Sequence, residues 1–250
     1  MRTRTWIVTV MIGLALSAWL TACSPSTSPQ GGSSPQADAS SPSASSDNGT
    51  LKAEAVIGPV PASQWRRMLE TGMVRPGCPI TAREQLRRVD VPFVNFDGDI
   101  QQGHLVVRRD IAPSVARIFT NLYWQGFPIA SMRGVEAFGG DSNKSLRANN
   151  TSAYNCRHLD QINAPPRKSP HANGRAVDIN PLQNPWKDLR CKCWSPSAKY
   201  AKRTLDPGKI LKGDPVWTLF TDEGWVWQNI DVPDYMHFDT GYPSRPLTNR

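Results

Sequence analysis

Apolar positions along the chain change spacing from segment to segment, and the changes predict the elements. Val115, Ile118, Phe119, Leu122 and Tyr123 recur at helical spacing, after Asp110 as a cap and before Gly126 as a stop. A shorter helix is predicted over 61–70, with Ser63 as its cap and Gly72 beyond its end, and a capped one over 214–223. Runs at 89–96 and 104–107 flank Asp97-Gly98 and read as two strands joined by a turn. Further strands are predicted at 127–132, 176–179, 224–227 and 236–239, the second of them buried. Antiparallel neighbours mixed with helices predict an α+β fold: a small, mostly antiparallel sheet with helices packed on one side. The sequence has no internal repeat.

The first fifty residues follow neither period. Arg2 and Arg4 precede fifteen uncharged residues, 6–20, too few for the ~20 that a spanning helix needs. Leu20-Thr21-Ala22-Cys23 resembles the bacterial lipobox, which implies a signal peptide over 1–22 and lipid attachment at Cys23. Residues 24–50 hold ten Ser, four Pro and no aliphatic side chain larger than Ala. Such a stretch buries too little apolar surface to offset its ordering entropy, so 23–50 reads as a lipid-anchored disordered linker and 51–250 as the folded domain. The expected location is outside the cytoplasmic membrane, tethered to it.

Losing the leader leaves 27 basic against 21 acidic residues. That modest excess suits the anionic polymers and head groups met at a bacterial surface. It does not suit nucleic acid, because the basic residues are spread out without an aromatic-interleaved patch. Nothing in the sequence calls for an oligomer, and a monomer is expected. Four cysteines remain beyond Cys23, and an even count in an exported chain implies two disulfides. Because Cys191 with Cys193 would close a very tight ring, Cys156 is expected to join one of that pair and Cys78 the other. The rival reading is a structural zinc site of Cys156, His158, Cys191 and Cys193.

The chemistry concentrates in SPHANGRAVDINP and PDYMHFD. His171, Asp178 and His237 supply two imidazoles and a carboxylate, the donor set of an open catalytic zinc site. Gly174 allows a sharp turn after His171, and Ala176 allows close packing of the strand that carries Asp178. Asp234, three residues before His237, is placed to act as general base and then general acid in amide hydrolysis. Arg157 is the candidate for stabilising the oxyanion. His104 is expected to face solvent from its strand, and Trp225 with Trp227 to belong to the core.

Together NNTSAYNCR at 149–157, SPHANGRAVDINPLQNP at 169–185 and DYMHFD at 234–239 resemble the D-Ala-D-Ala carboxypeptidase-like zinc peptidases, over roughly residues 89–239. That family shares its fold with lysostaphin-type enzymes and the Hedgehog signalling domain. The resemblance implies a Hedgehog/DD-peptidase-like fold, with zinc on His171, Asp178 and His237 and Asp234 as the base. It also implies that Arg157 contacts the substrate or its transition state and that Ser169 helps to hold the substrate. The implied substrate is the peptidoglycan stem peptide, cleaved at the terminal D-Ala. The alternatives are an L-Ala-D-Glu endopeptidase and a zinc-stabilised wall-binding lipoprotein without turnover.

Overall fold

In the structure, a computed structural model, the largest unit is a hairpin of two nine-residue strands. The structure describes residues 54–157 and 169–241, which belong to one compact unit. The expected leader, Cys23, the linker and His158 lie outside these residues. Strands β2 (Leu86–Val94) and β3 (Ile100–Arg108) pair in unbroken antiparallel register, and β1 (Val56–Gly58) adds to the β2 edge. Asn95 makes the turn: its side-chain oxygen accepts from the amides of Asp97 at 2.9 Å and Asp99 at 2.8 Å.

Alternation along the hairpin gives it two buried faces. Val89, Val91, Phe93, Leu105 and Val107 meet Val115, Ile118, Phe119 and Leu122 of α2 (Ala112–Trp124). Leu86 and Val106 point the other way, toward Met68 of α1 (Ala62–Glu70) and Tyr154. Helices therefore lie on both faces of the hairpin, not on one as expected. Hydrophobic spacing shows that a strand has a buried face, but Leu86 and Val106 sit among arginines, and only packing reveals the second one.

Strands β6 (Ala176–Asp178), β10 (His237–Asp239) and β9 (Val226–Trp227) form a second antiparallel sheet with β10 in the middle. The expected single sheet is thus two three-stranded sheets sharing one core, in which Val177 and Phe238 join the cluster around α2. Helix α4 (Pro215–Asp222) closes that core, with Phe220 stacked on Phe238 at 3.9 Å and edge-on to the buried Trp225. Its cap is as predicted, since Asp214 accepts from the Trp217 amide at 2.7 Å. Two other caps are not. Pro61, not Ser63, begins α1, and Ile111 begins α2 because Asp110 is drawn to Arg175 instead.

The remaining elements are short: β4 (Ser131–Met132) parallel to β5 (Asn150–Thr151), α3 (Ser142–Arg147), and a ribbon of β7 (Trp186–Asp188) with β8 (Cys193–Ser195). Only the end of the expected strand at 127–132 forms. No helix among the described residues is long and apolar enough to cross a membrane.

The disulfides are Cys78–Cys156 and Cys191–Cys193. The expected exchange between the two pairs is therefore wrong, and so is the cysteine zinc site, whose thiols are consumed. A bridge across one residue is accommodated here because Lys192 adopts a positive φ of 54°, which brings the flanking cysteines to one side. His104 is also corrected. It is half-buried, with Gln64 Nε2 at 3.0 Å and the Gly134 amide donating to it at 3.3 Å. Burial, reinforced by Arg88, holds it down to about 4.

Candidate metal centre

Asp178 and His237 are cross-strand partners on β6 and β10, so their side chains share a face of the sheet. Alternation along β10 puts His237 and Asp239 on that face and Phe238 in the core. His171 arrives from the turn before β6. The amides of Asn173 and Gly174 donate to the carbonyls of Ser169 and His171, and the Arg175 amide donates to Pro170. Gly174 is required there: its φ is 68°, and a Cβ would lie 2.9 Å from the Arg108 amide nitrogen. That same amide donates to the Gly174 carbonyl at 2.8 Å, docking the turn on β3.

The three ligand atoms converge. His171 Nε2 is 3.2 Å from Asp178 Oδ1 and 3.1 Å from His237 Nδ1, which is itself 3.0 Å from Asp178 Oδ1. Each imidazole has its other nitrogen engaged outward, His171 Nδ1 with the Ala153 carbonyl at 2.7 Å and His237 Nε2 with Asp239 Oδ2 at 3.0 Å. A carbonyl and a carboxylate accept hydrogen bonds only, so these outer nitrogens carry the protons and the inner ones present lone pairs. Three acceptors facing one another need a cation between them. Zinc bonds of about 2.0–2.2 Å at tetrahedral angles set neighbouring ligand atoms about 3.3–3.5 Å apart, slightly more than is seen here. The N, N, O set therefore fits a divalent metal, and all three residues are buried.

The titration of the site shows the same need for positive charge. Burial alone would raise Asp178, but His171 and His237 hold its carboxyl well below the usual range. Burial lowers His171. Against the same burial, hydrogen bonds to Asp178 and Asp239 raise His237 to about 10, so without a metal a proton on His237 takes the cation's place.

Asp234 stands beside this triangle. The His237 amide donates to the Asp234 carbonyl at 3.3 Å, a turn that sets the two side chains close together. Asp234 Oδ1 is shut off from solvent and has no hydrogen-bond partner, and burial pushes the carboxyl up to about 7 although His237 pulls it down. A buried carboxylate left unpaired costs stability, and such groups concentrate where protons are transferred.

Arg157 also reaches the site, its Nη2 lying 3.4 Å from the second Asp178 oxygen. Its backbone is fixed by the Cys78–Cys156 bridge and by Arg75, which donates to the carbonyls of Cys156 at 2.5 Å and Arg157 at 2.7 Å. Beside it a small cleft is lined by Ser142, Ser145, Asn155 and Leu146 together with His171 and Asp178. Ser169 is half-buried, and its Oγ accepts from the Ala172 amide at 3.3 Å in the His171 turn.

Two residues of the site escaped the sequence reading. Asp239 had a signal, being two residues after His237 on a strand and hence on the same face. The Ala153 carbonyl had none, because a backbone acceptor leaves no trace in residue type.

A family model described as D-alanyl-D-alanine carboxypeptidase matches residues 163–240. The match takes in His171, Asp178, Asp234 and His237 and leaves Arg157 outside it. Residues 163–240 are thus similar to the D-alanyl-D-alanine carboxypeptidases. No curated protein and no solved structure matches the chain. The match supports a peptidoglycan-related peptidase, and the buried His171-Asp178-His237 group is one that could hold a metal ion.

Proposed function

We propose that the protein is a zinc-dependent peptidase on a Hedgehog/DD-peptidase-like fold that removes the terminal D-Ala from the peptidoglycan stem peptide. The observation that carries this reading is the Asp234 carboxylate, its Oδ1 shut off from solvent and without a hydrogen-bond partner, next to three convergent acceptor atoms, since a purely structural metal site has no use for it. Zinc at that position would supply a Lewis acid that polarises the scissile carbonyl and acidifies water.

The residues of the chain divide the remaining work. His171, Asp178 and His237 hold the ion, and Ala153 and Asp239 keep the two imidazoles in the tautomers that can bind it. Asp234, with its affinity for a proton raised, accepts one during attack on the carbonyl and returns it to the leaving amine. Arg157, a quarter exposed and close to Asp178, supplies a cation for the developing oxyanion or the terminal carboxylate. Ser169, in the turn beside His171, helps to hold the substrate. In the same proposal Cys23 carries the lipid, residues 24–50 form the tether, and the monomeric domain works on the wall outside the membrane.

Mass spectrometry of pentapeptide-containing muropeptides after incubation with the zinc-loaded chain tests this. Loss of one D-Ala is expected, and Asp234→Asn should keep zinc and lose hydrolysis while His237→Ala loses both. Cleavage between L-Ala and D-Glu would move the assignment to an endopeptidase, and equal turnover by wild type and Asp234→Asn would remove the proposed base.

A further inference from the structure

Asp234 Oδ1 has no hydrogen-bond partner to aim it, so the backbone around Asp234 matters for where the carboxylate points. That backbone donates its amide to Gln228 Oε1 at 3.3 Å and is otherwise pinned to the β7–β8 ribbon. Asp234 bridges antiparallel to Trp186, the Lys187 amide donates to the Pro233 carbonyl at 2.7 Å, and the Tyr235 amide donates to Pro185 at 3.4 Å. Side chains add to the seam: Trp194 stacks on Tyr235 at 5.4 Å, with Lys187 over Trp194 and Arg203 over Tyr235. In effect the base sits on a third strand of the ribbon.

The ribbon is short, with three paired residues on each side, a length that is marginal without support. The turn that joins its strands is constrained by Cys191–Cys193, which ties the last turn residues to Cys193, the first residue of β8 and the partner of Asp188. Both cysteines are exposed, whereas Cys78 and Cys156 are buried. Lys192 lies between the exposed pair, and Lys187 Nζ donates to the Lys192 carbonyl at 2.9 Å, so the bridge sits in an exposed turn that a thiolate reagent can reach.

We propose that Cys191–Cys193 is a thiol-exchange site and that the ribbon whose turn it constrains is the positioning element for Asp234, so that reducing this bond slows hydrolysis without releasing the metal. The inference rests on the peptidase reading above. The reductant is a dithiol. Its thiolate attacks one sulfur, breaking the Cys191–Cys193 bond and forming a mixed disulfide, and its second thiol then displaces the cysteine. Two electrons and two protons pass to the cysteines, and the reductant leaves as a disulfide.

The test uses the zinc-loaded full chain and a phosphine reductant in place of a dithiol, which would compete for zinc. Alkylation mapped by mass spectrometry should label Cys191 and Cys193 before Cys78 and Cys156. At that stage kcat on a stem pentapeptide should fall about tenfold or more with KM little changed, since small misplacements of a catalytic group have effects of that size. Zinc content should stay constant and reoxidation should restore the rate. A Cys191→Ser, Cys193→Ser double variant should start at the reduced rate and ignore the reductant. Hydrogen exchange gives a readout independent of turnover: reduction should speed exchange at the Lys187 and Tyr235 amides. Unchanged kcat with both cysteines labelled, unchanged exchange at these amides, or zinc lost in step with activity would each overturn the switch. An oxidised chain that cleaves no stem peptide would instead remove the peptidase reading, and with it the kinetic half of the proposal.

Discussion

At the scale of single residues, the site combines fully partnered polar side chains with a few buried atoms that have no partner, Asp234 Oδ1 among them. Asp239 illustrates the first half. Its Oδ2 takes the proton of His237 Nε2, while Oδ1 accepts from Asn229 at 3.0 Å and the Gly241 amide at 2.7 Å. Removing an outer partner of this kind typically weakens metal binding 10–100-fold, so Asp239→Ala should lose about that factor in a chelator-competition assay while leaving the three ligands in place. Asp234 illustrates the second half. Its carboxyl titrates near 7 in the folded chain against 3.8 as a free group, so the native state holds the proton more tightly than the unfolded state. Stability from this group is whole at low pH and is lost as pH rises through 7. Metal-free Asp234→Asn should therefore melt higher than metal-free wild type at pH 8, by a margin worth a few kcal/mol, on the order expected for a buried unpaired carboxylate, and the two should converge near pH 4. Thermal melts at the two pH values check this.

At the scale of elements, the site depends on how a turn and two strands are joined. The His171 turn reaches its place only because Gly174 takes a left-handed backbone against β3. Gly174→Ala adds strain at that φ and a contact of 2.9 Å, so it should cost about 1–3 kcal/mol in denaturant unfolding and also reduce zinc affinity, although Gly174 touches no metal. The strands that carry Asp178 and His237 were legible in SPHANGRAVDINP and PDYMHFD, although the alternation that puts Asp239 on the face of His237 went unread. The cross-strand register of His237 with Asp178 was not legible, since register is set by pairing partners some sixty residues apart. Local caps failed where a long-range partner competed, as Arg175 does for Asp110.

Over the whole molecule, two sheets and their helices share a core, and the Cys78–Cys156 bridge closes a loop of 78 residues that ends next to Arg157. On the loop-closure argument its removal by a double Ser substitution should cost about 3–5 kcal/mol in urea unfolding. Arg157 should lose its fixed position with it, which would show as a higher KM at temperatures where the variant is still folded. The sequence by itself determined the candidate donor set of His171, Asp178 and His237, the carboxylate of Asp234 three residues before His237, the long hairpin and the amphipathic α2, because each is written in residue type and local spacing. Only the tertiary structure decided the disulfide pairing, the second buried face of the hairpin, the Ala153 acceptor and the anchoring of Asp234 to the ribbon. Those depend on which distant backbones come to lie side by side, and a linear pattern of side chains does not encode that distance.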